Sequence, residues 1–161
     1  MHGSIPRSCN NMIHLLRTDA HHPGFETLVK LLDADLAARD GDEHPFYAQF
    51  NKTNSIKHCV VAFEQDVPVG CGALKPYSPL RMEIKRMFVL PGYRGQGIAS
   101  QVLAELEKWA AELSYAGCIL ETGIKQPEAM ALYRKNGYHR IPNYGQYADV
   151  QNSVCFEKIL S

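Results

Sequence analysis

The segment Arg94-Gly95-Gln96-Gly97-Ile98-Ala99 combines residue types that can hold an anion. It follows the apolar run Met87-Phe88-Val89-Leu90 and the break Pro91-Gly92, and it opens a stretch whose apolar residues recur at helical period. Glycines at such a turn let the backbone take positive φ and come close to a ligand, so that successive N–H groups converge. The start of a helix adds about half a positive charge, and Arg94 adds a full one that can fork onto phosphate oxygens. Phosphate is the ligand this chemistry suits. A nucleotide-hydrolysing loop is excluded, because Gly92 and Gly97 are followed by Ile98-Ala99 where Lys and Ser or Thr are required. A dinucleotide fingerprint comes nearer: Gly95-x-Gly97-x-x-Ser100 approximates it, and Glu121 ends the next strand about where a ribose-binding acid falls. That motif comes late in the chain, behind hairpins, with room for too few βα units to build a dinucleotide fold. The third reading is a tight strand-to-helix turn without a ligand, and the glycines alone leave it open.

The elements around this turn follow from hydrophobic period. Residues 12–18 (MIHLLRT) read as a strand, and Phe25, Leu28, Val29, Leu31, Leu32 and Leu36 then recur at helical spacing up to the break Arg39-Asp40-Gly41. Residues 44–50 (HPFYAQF) form a short helix or a loop, with Pro45 suited to a first helical position. A hairpin follows, His58 to Phe63 and then Pro68 to Leu74, the second arm broken by Gly70 and Gly72. Arg81 to Leu90 is a strand ending at Pro91-Gly92. From Gly97 to Leu113 one apolar stripe (Ile98, Ala99, Val102, Leu103, Leu106, Trp109, Ala110, Leu113) faces away from Gln101, Glu105, Lys108 and Glu112, which marks an amphipathic helix. Gly117 to Glu121 reads as a buried strand, Pro127 opens a helix stopped by Asn136-Gly137, and residues 153–159 alternate as a last strand. Hairpins first and crossing helices later give an α/β or α+β class with a mixed sheet.

Two separated motifs sharpen this. Val89-x-Pro91-x-x-Arg94-Gly95-x-Gly97-Ile98-Ala99 resembles the acetyl-coenzyme A signature of the GNAT superfamily of N-acetyltransferases, and Ala129-x-x-Leu132-Tyr133-x-x-x-Gly137-Tyr138 resembles its second motif, in the right order and at the expected distance. The resemblance runs from about Val60 to the C-terminus and is strongest from Glu83 to Tyr138. It implies a mostly antiparallel sheet with helices on both faces, splayed at a parallel pair between the strand ending at Leu90 and the strand at Gly117 to Glu121. Pantetheine would lie in the gap against the backbone of Met87, Phe88 and Val89, with Arg94, Gly95, Gln96, Gly97, Ile98 and Ala99 around the pyrophosphate and Ala129 and Tyr133 beside the arm. Family members usually carry Asn where this chain has Gln126.

The implied reaction is transfer of an acetyl group onto an amine of a small molecule, amino acid or peptide. Deprotonating a lysine-like amine at pH 7 costs about 4.6 kcal/mol, and an α-amino group about 1.4 kcal/mol, so a base or a desolvated pocket is needed. Glu83 is the candidate base: it lies four residues before Met87, and strict alternation puts the two on one face of the strand. It also matches a glutamate used this way in histone-acetyltransferase-like members. By the same resemblance Tyr133 stands at the departing sulfur, where a hydrogen bond to developing thiolate is easier than full proton transfer, which is uphill by about 2 kcal/mol. Tyr47, Phe50, Asn51, Tyr144 and Tyr147 fall in the segments that shape acceptor pockets in the superfamily, and Arg86 could meet an acidic acceptor. The alternatives are a catalytically silent coenzyme A-binding module and a dinucleotide-binding oxidoreductase.

Bulk properties set the frame. The 161 residues suit one domain, with residues 1–11 as a polar tail. Lys+Arg and Asp+Glu are both 17, leaving no net field to gather nucleic acid or anionic membrane. Five widely spaced cysteines without a CxxC pair suit buried thiols in a reducing cytoplasm, and no run approaches the length of a membrane span. His21-His22 and residues 40–44 (DGDEH) are metal-like in composition but lack three-ligand spacing, so no metal is expected. A homodimer is compatible with all of this.

Overall fold

A computed structural model describes residues 12–48 and 55–161. The strands are β1 (Ile13–Thr18), β2 (His58–Glu64), β3 (Val67–Ser78), β4 (Arg81–Val89), β5 (Gly117–Gly123), β6 (His139–Ile141) and β7 (Ser153–Ile159). The helices are α1 (Pro23–Asp40), α2 (His44–Ala48), α3 (Ile98–Glu112) and α4 (Pro127–Lys135). One seven-stranded sheet has the order β1-β2-β3-β4-β5-β7-β6. Every neighbouring pair is antiparallel except β4 and β5, which run parallel. A row of parallel strands, which a dinucleotide fold needs, is absent from the described sheet.

Local chemistry sets the helix limits. Pro23 opens α1, where its missing N–H costs nothing, and the His22 ring accepts from the Gly24 N–H at 3.0 Å. Pro127 opens α4 in the same way, and Gly137 takes φ +90° just past its end.

Period-2 alternation divides the sheet residues between two layers. On one face Val60, Val69, Leu74, Met82, Ile84, Leu120 and Phe156 pack against Val102, Leu103, Leu106 and Ala110 of α3. On the other, Cys59, Val61, Cys71, Ala73 and Phe88 pack against Phe25, Leu28, Val29 and Leu32 of α1. Complete burial of each large aliphatic side chain contributes about 2 kcal/mol, so these two layers hold the strand that carries the site. Cys59, Cys71, Cys118 and Cys155 are buried free thiols, and Cys9 lies outside the described residues. Among the described residues no helix is long and apolar enough to cross a membrane.

One irregularity in β4 overturns a sequence expectation. Cys71 pairs with Phe88 but Ala73 pairs with Lys85, so β4 has one residue more than β3 over this stretch, and Arg86 at φ +60° absorbs it. The bulge reverses the alternation. Met87 packs toward α3, whereas Lys85 and Glu83 point to the opposite face, away from Met82 and Ile84. Glu83 and Met87 therefore do not share a face. Gly72 makes the bulge possible: a Cβ there would lie 2.5 Å from the Met87 sulfur and 2.8 Å from a Leu106 methyl.

Candidate active site

The parallel pairing of β4 with β5 involves only Arg81, Met82 and Glu83, opposite Gly117, Cys118 and Ile119. Beyond Glu83 the strands separate, although β4 continues to Val89 and β5 to Gly123. The β4 edge facing β5 thus has no strand partner from Ile84 onward. A cleft of about 480 Å³ opens along this divergence.

The turn after β4 forms one end of the cleft. Gly95 and Gly97 have φ +77° and +80°, and the space a Cβ would occupy at either is open. The amides of residues 95–100 donate to no group in the described chain; the first helical bond runs from the Gln101 N–H to the Gly97 carbonyl at 3.1 Å. Six unengaged donors around a helix N-terminus make an anion cradle. The Arg94 Nε donates to the Val89 carbonyl at 2.9 Å, and its guanidinium lies 5.5 Å from the Phe88 ring centre. This fixes the root of the turn while the charge stays at the cleft.

Tyr133 of α4 forms the middle of the cleft. It is buried against Tyr138 and Phe156, with ring centres 5.7 and 6.2 Å away. Burial, and then the charge of Glu121, push its hydroxyl well above the ordinary value, so it stays a proton donor in hydrogen bonds at any physiological pH.

The far end is polar and enclosed. Glu83 is buried, with one oxygen accepting from the Tyr144 hydroxyl at 2.6 Å and the other 3.7 Å from the Lys85 Nζ. Burial pushes Lys85 down and Tyr144 up. Arg86 is buried with one guanidinium nitrogen paired to Asp33 and its Nε unpartnered. Glu121, from β5, enters the same cavity; one of its oxygens is buried without a hydrogen-bond partner, and burial pushes the carboxyl up to about 7. The Tyr47 and Ser153 hydroxyls, 3.1 Å apart, and Tyr147 close this end. Across the mouth Arg39, near the end of α1, pairs with Glu128 in the first turn of α4.

Most of the residues singled out in the sequence meet here. Tyr47, Glu83, Arg86, Met87, Phe88, Val89, Arg94, Gly95, Gly97, Ile98, Ala99, Gln126, Ala129, Tyr133 and Tyr147 line the cleft. Tyr144 joins it through Glu83. Gln96 has an exposed side chain outside the lining, so its contribution is its amide. Gln126 caps α4 without a side-chain bond and is directed beside Gly123. Phe50 and Asn51 lie outside the described residues. Ser153 and the Arg39–Glu128 pair were not anticipated, Asp40 was noticed only in a metal-like segment, and Glu121 only as a ribose-type acid. Among the described residues no group of three or more His, Cys, Asp or Glu side chains is arranged to hold a metal ion.

The model of the Acetyltransferase (GNAT) family matches residues 25–138. The chain belongs to the GNAT acetyltransferase family. This GNAT protein is 36% identical over 102 residues to the IAA acetyltransferase of Azospirillum brasilense, covering 63% of the chain and 67% of that relative. A Klebsiella pneumoniae crystal structure assigned as an acyl-CoA N-acyltransferase superposes with a TM-score of 0.78 at 30% identity, over 93% of this chain and 99% of that one. A GNAT acetyltransferase from Elizabethkingia anophelis, solved with acetyl-CoA bound, has the same fold at a TM-score of 0.67 and 18% identity, over 92% and 98% of the two chains. This GNAT protein is accordingly an acyltransferase.

Proposed function

We propose that this protein moves the acetyl group of acetyl-coenzyme A onto the nitrogen of an amine, by direct attack with donor and acceptor bound together. One observation carries the reading: the unengaged amides of residues 95–100 lead directly into the strand gap that begins after Glu83. The cradle suits a diphosphate, and the free β4 edge suits an amide-bearing arm that hydrogen-bonds like another strand.

The chain's own groups then divide the chemistry. Arg94 and the cradle amides bind the donor's charge. The β4 backbone at Met87, Phe88 and Val89 orients the thioester, and the Phe88 N–H is the candidate for polarising its carbonyl. The Tyr133 hydroxyl, kept protonated by burial, stabilises the departing sulfur by a hydrogen bond. The far end of the cleft supplies carboxylates for the amine's proton.

The test is release of free thiol from acetyl-coenzyme A in the presence of a panel of small amines, amino acids and peptides. Release that depends on one acceptor class is the expected result. Tight coenzyme A binding with no acceptor-dependent release over the whole panel would instead establish a silent binding module.

A further inference from the structure

Three carboxylates line this part of the cleft, the buried Asp40 and Glu83 and the half-buried Glu121, and Glu83 and Glu121 are differently committed. Glu83 has both oxygens occupied, by the Tyr144 hydroxyl at 2.6 Å and the Lys85 ammonium at 3.7 Å. The donors already beside it compete with a substrate ammonium for its lone pairs. Glu121 has a buried oxygen with no hydrogen-bond partner among the described residues. An unmatched carboxylate oxygen is costly in a protein interior, and a donor brought in by substrate relieves that cost.

Position agrees with this. Glu121 lies on β5 after the point where pairing with β4 has ended, so its side chain enters the cavity on the wall opposite the β4 backbone. Tyr133, the candidate partner of the sulfur, lines the same cavity and feels the Glu121 charge. An amine between Glu121 and the β4 edge is therefore next to the place where the thioester carbonyl would lie.

Resting on the acetyl-transfer reading above, we infer that Glu121, and not Glu83, is the catalytic residue that takes the proton from the acceptor amine, and that Glu83 is a positioning residue holding Lys85 and Tyr144. The steps balance in atoms and charge. The ammonium passes one proton to the Glu121 carboxylate, giving a neutral amine and a carboxylic acid. The amine lone pair forms the C–N bond, the C–S bond breaks, and the second proton leaves nitrogen and ends on sulfur beside the Tyr133 hydroxyl. Glu121 then returns its proton to water as the cleft empties.

The surroundings tune the group for this task. Burial is the main cause of its upward shift to about 7, and Glu83 and Asp40 add to it, while the Ser153 hydroxyl and Lys85 oppose it. Tyr47, Tyr133, Tyr147 and Cys155 also face the charge, all of them held neutral by burial. A base with a pKa near working pH is the efficient choice for general base catalysis.

The experiment is the pH profile of kcat/KM for the best amine of the panel, with wild type, Glu121→Gln, Glu83→Gln and Ser153→Ala, each checked for coenzyme A affinity by calorimetry. Wild type should show an acid limb near pH 7. Glu121→Gln should lose that limb and 10²- to 10⁴-fold in kcat/KM with coenzyme A affinity retained, the range expected for removing a general base. Glu83→Gln should keep the limb whatever its rate. Ser153→Ala should move it to higher pH, since the hydroxyl opposes the upward shift, a response that a merely structural role does not produce. Should Glu121→Gln fail to fold, Glu121→Asp keeps the charge with a shorter reach and must still lose rate while retaining a limb. Wild-type turnover with an unaltered profile in Glu121→Gln, or loss of the limb in Glu83→Gln, overturns the inference and leaves the acetyl-transfer reading standing. No turnover by wild type on any amine overturns both.

Discussion

Replacing Gly97 by alanine separates backbone strain from ligand contact. Gly97 sits at φ +80° and ψ 8° at the start of α3, with open space where a Cβ would project. A left-handed conformation costs an L-residue about 1–2 kcal/mol, so the variant should lose that much stability. At about 2–4 °C per kcal/mol for a chain of this size, the melting temperature should fall by about 2–8 °C. The same methyl enters the space in which phosphate oxygens would meet the amides of residues 95–100. Losing one charge-assisted hydrogen bond there costs about 1.5–3 kcal/mol, which weakens coenzyme A binding by about 10- to 150-fold. Gly137→Ala is the matched control: its φ is +90°, its Cβ would make only ordinary contact with the Lys158 side chain at 3.5 Å, and it lies outside the cleft lining. The two variants should therefore melt at similar temperatures and bind coenzyme A very differently in calorimetry. Equal affinities in both would refute the assignment of residues 95–100 as the donor cradle.

Three other outcomes are expected. Tyr133→Phe should lower kcat by about 10²-fold or more with little change in coenzyme A affinity, and unchanged turnover would remove Tyr133 from the chemistry. Gly72→Ala should destabilise by about 1–3 kcal/mol because its Cβ meets the Met87 sulfur; adding Met87→Ala should recover part of the loss in thermal melts, and independent, additive losses would mean the contact is not the cause. Glu121 is pushed to about 7 in the fold from an ordinary 4.5, so the folded state binds the extra proton between those values and stability falls as pH rises through that window. Glu121→Gln should accordingly gain about 3 kcal/mol over wild type at pH 8 and nothing at pH 4, and curves that stay parallel across this range would sink the claim.

The donor half of the site was legible in the sequence because its chemistry lies in backbone conformation at contiguous residues. Gly95, Gly97 and the stripe from Ile98 onward specify a turn and a helix start without any knowledge of the rest of the chain. The other end was legible only in part: Tyr47 and Glu83 were picked out, but Asp40, Lys85, Glu121 and Ser153 join them only through the sheet order. Arg86 shows the limit most clearly. Strict alternation placed Glu83 on the face of Met87, and the added residue at Arg86 put it on the other, where it meets Tyr144. Gly72 was the one trace of that bulge in the sequence, since a glycine within an apolar strand marks a close approach. The strand β6 was missed because three residues, mostly exposed, give no period to detect.

The short contact between β4 and β5 has a consequence for how the sheet holds together. Three residue pairs join a four-strand half to a three-strand half, so the two halves are coupled through the ladder only at one end. A donor lying along the open edge acts as the missing rung of that ladder. Amides of β4 beyond Glu83 on that side should exchange with deuterium quickly in the empty protein and slowly once the donor is seated. The pocket at its far end has Glu83 on one half and Glu121 on the other, so a ligand seated along that edge would also brace these two walls against each other.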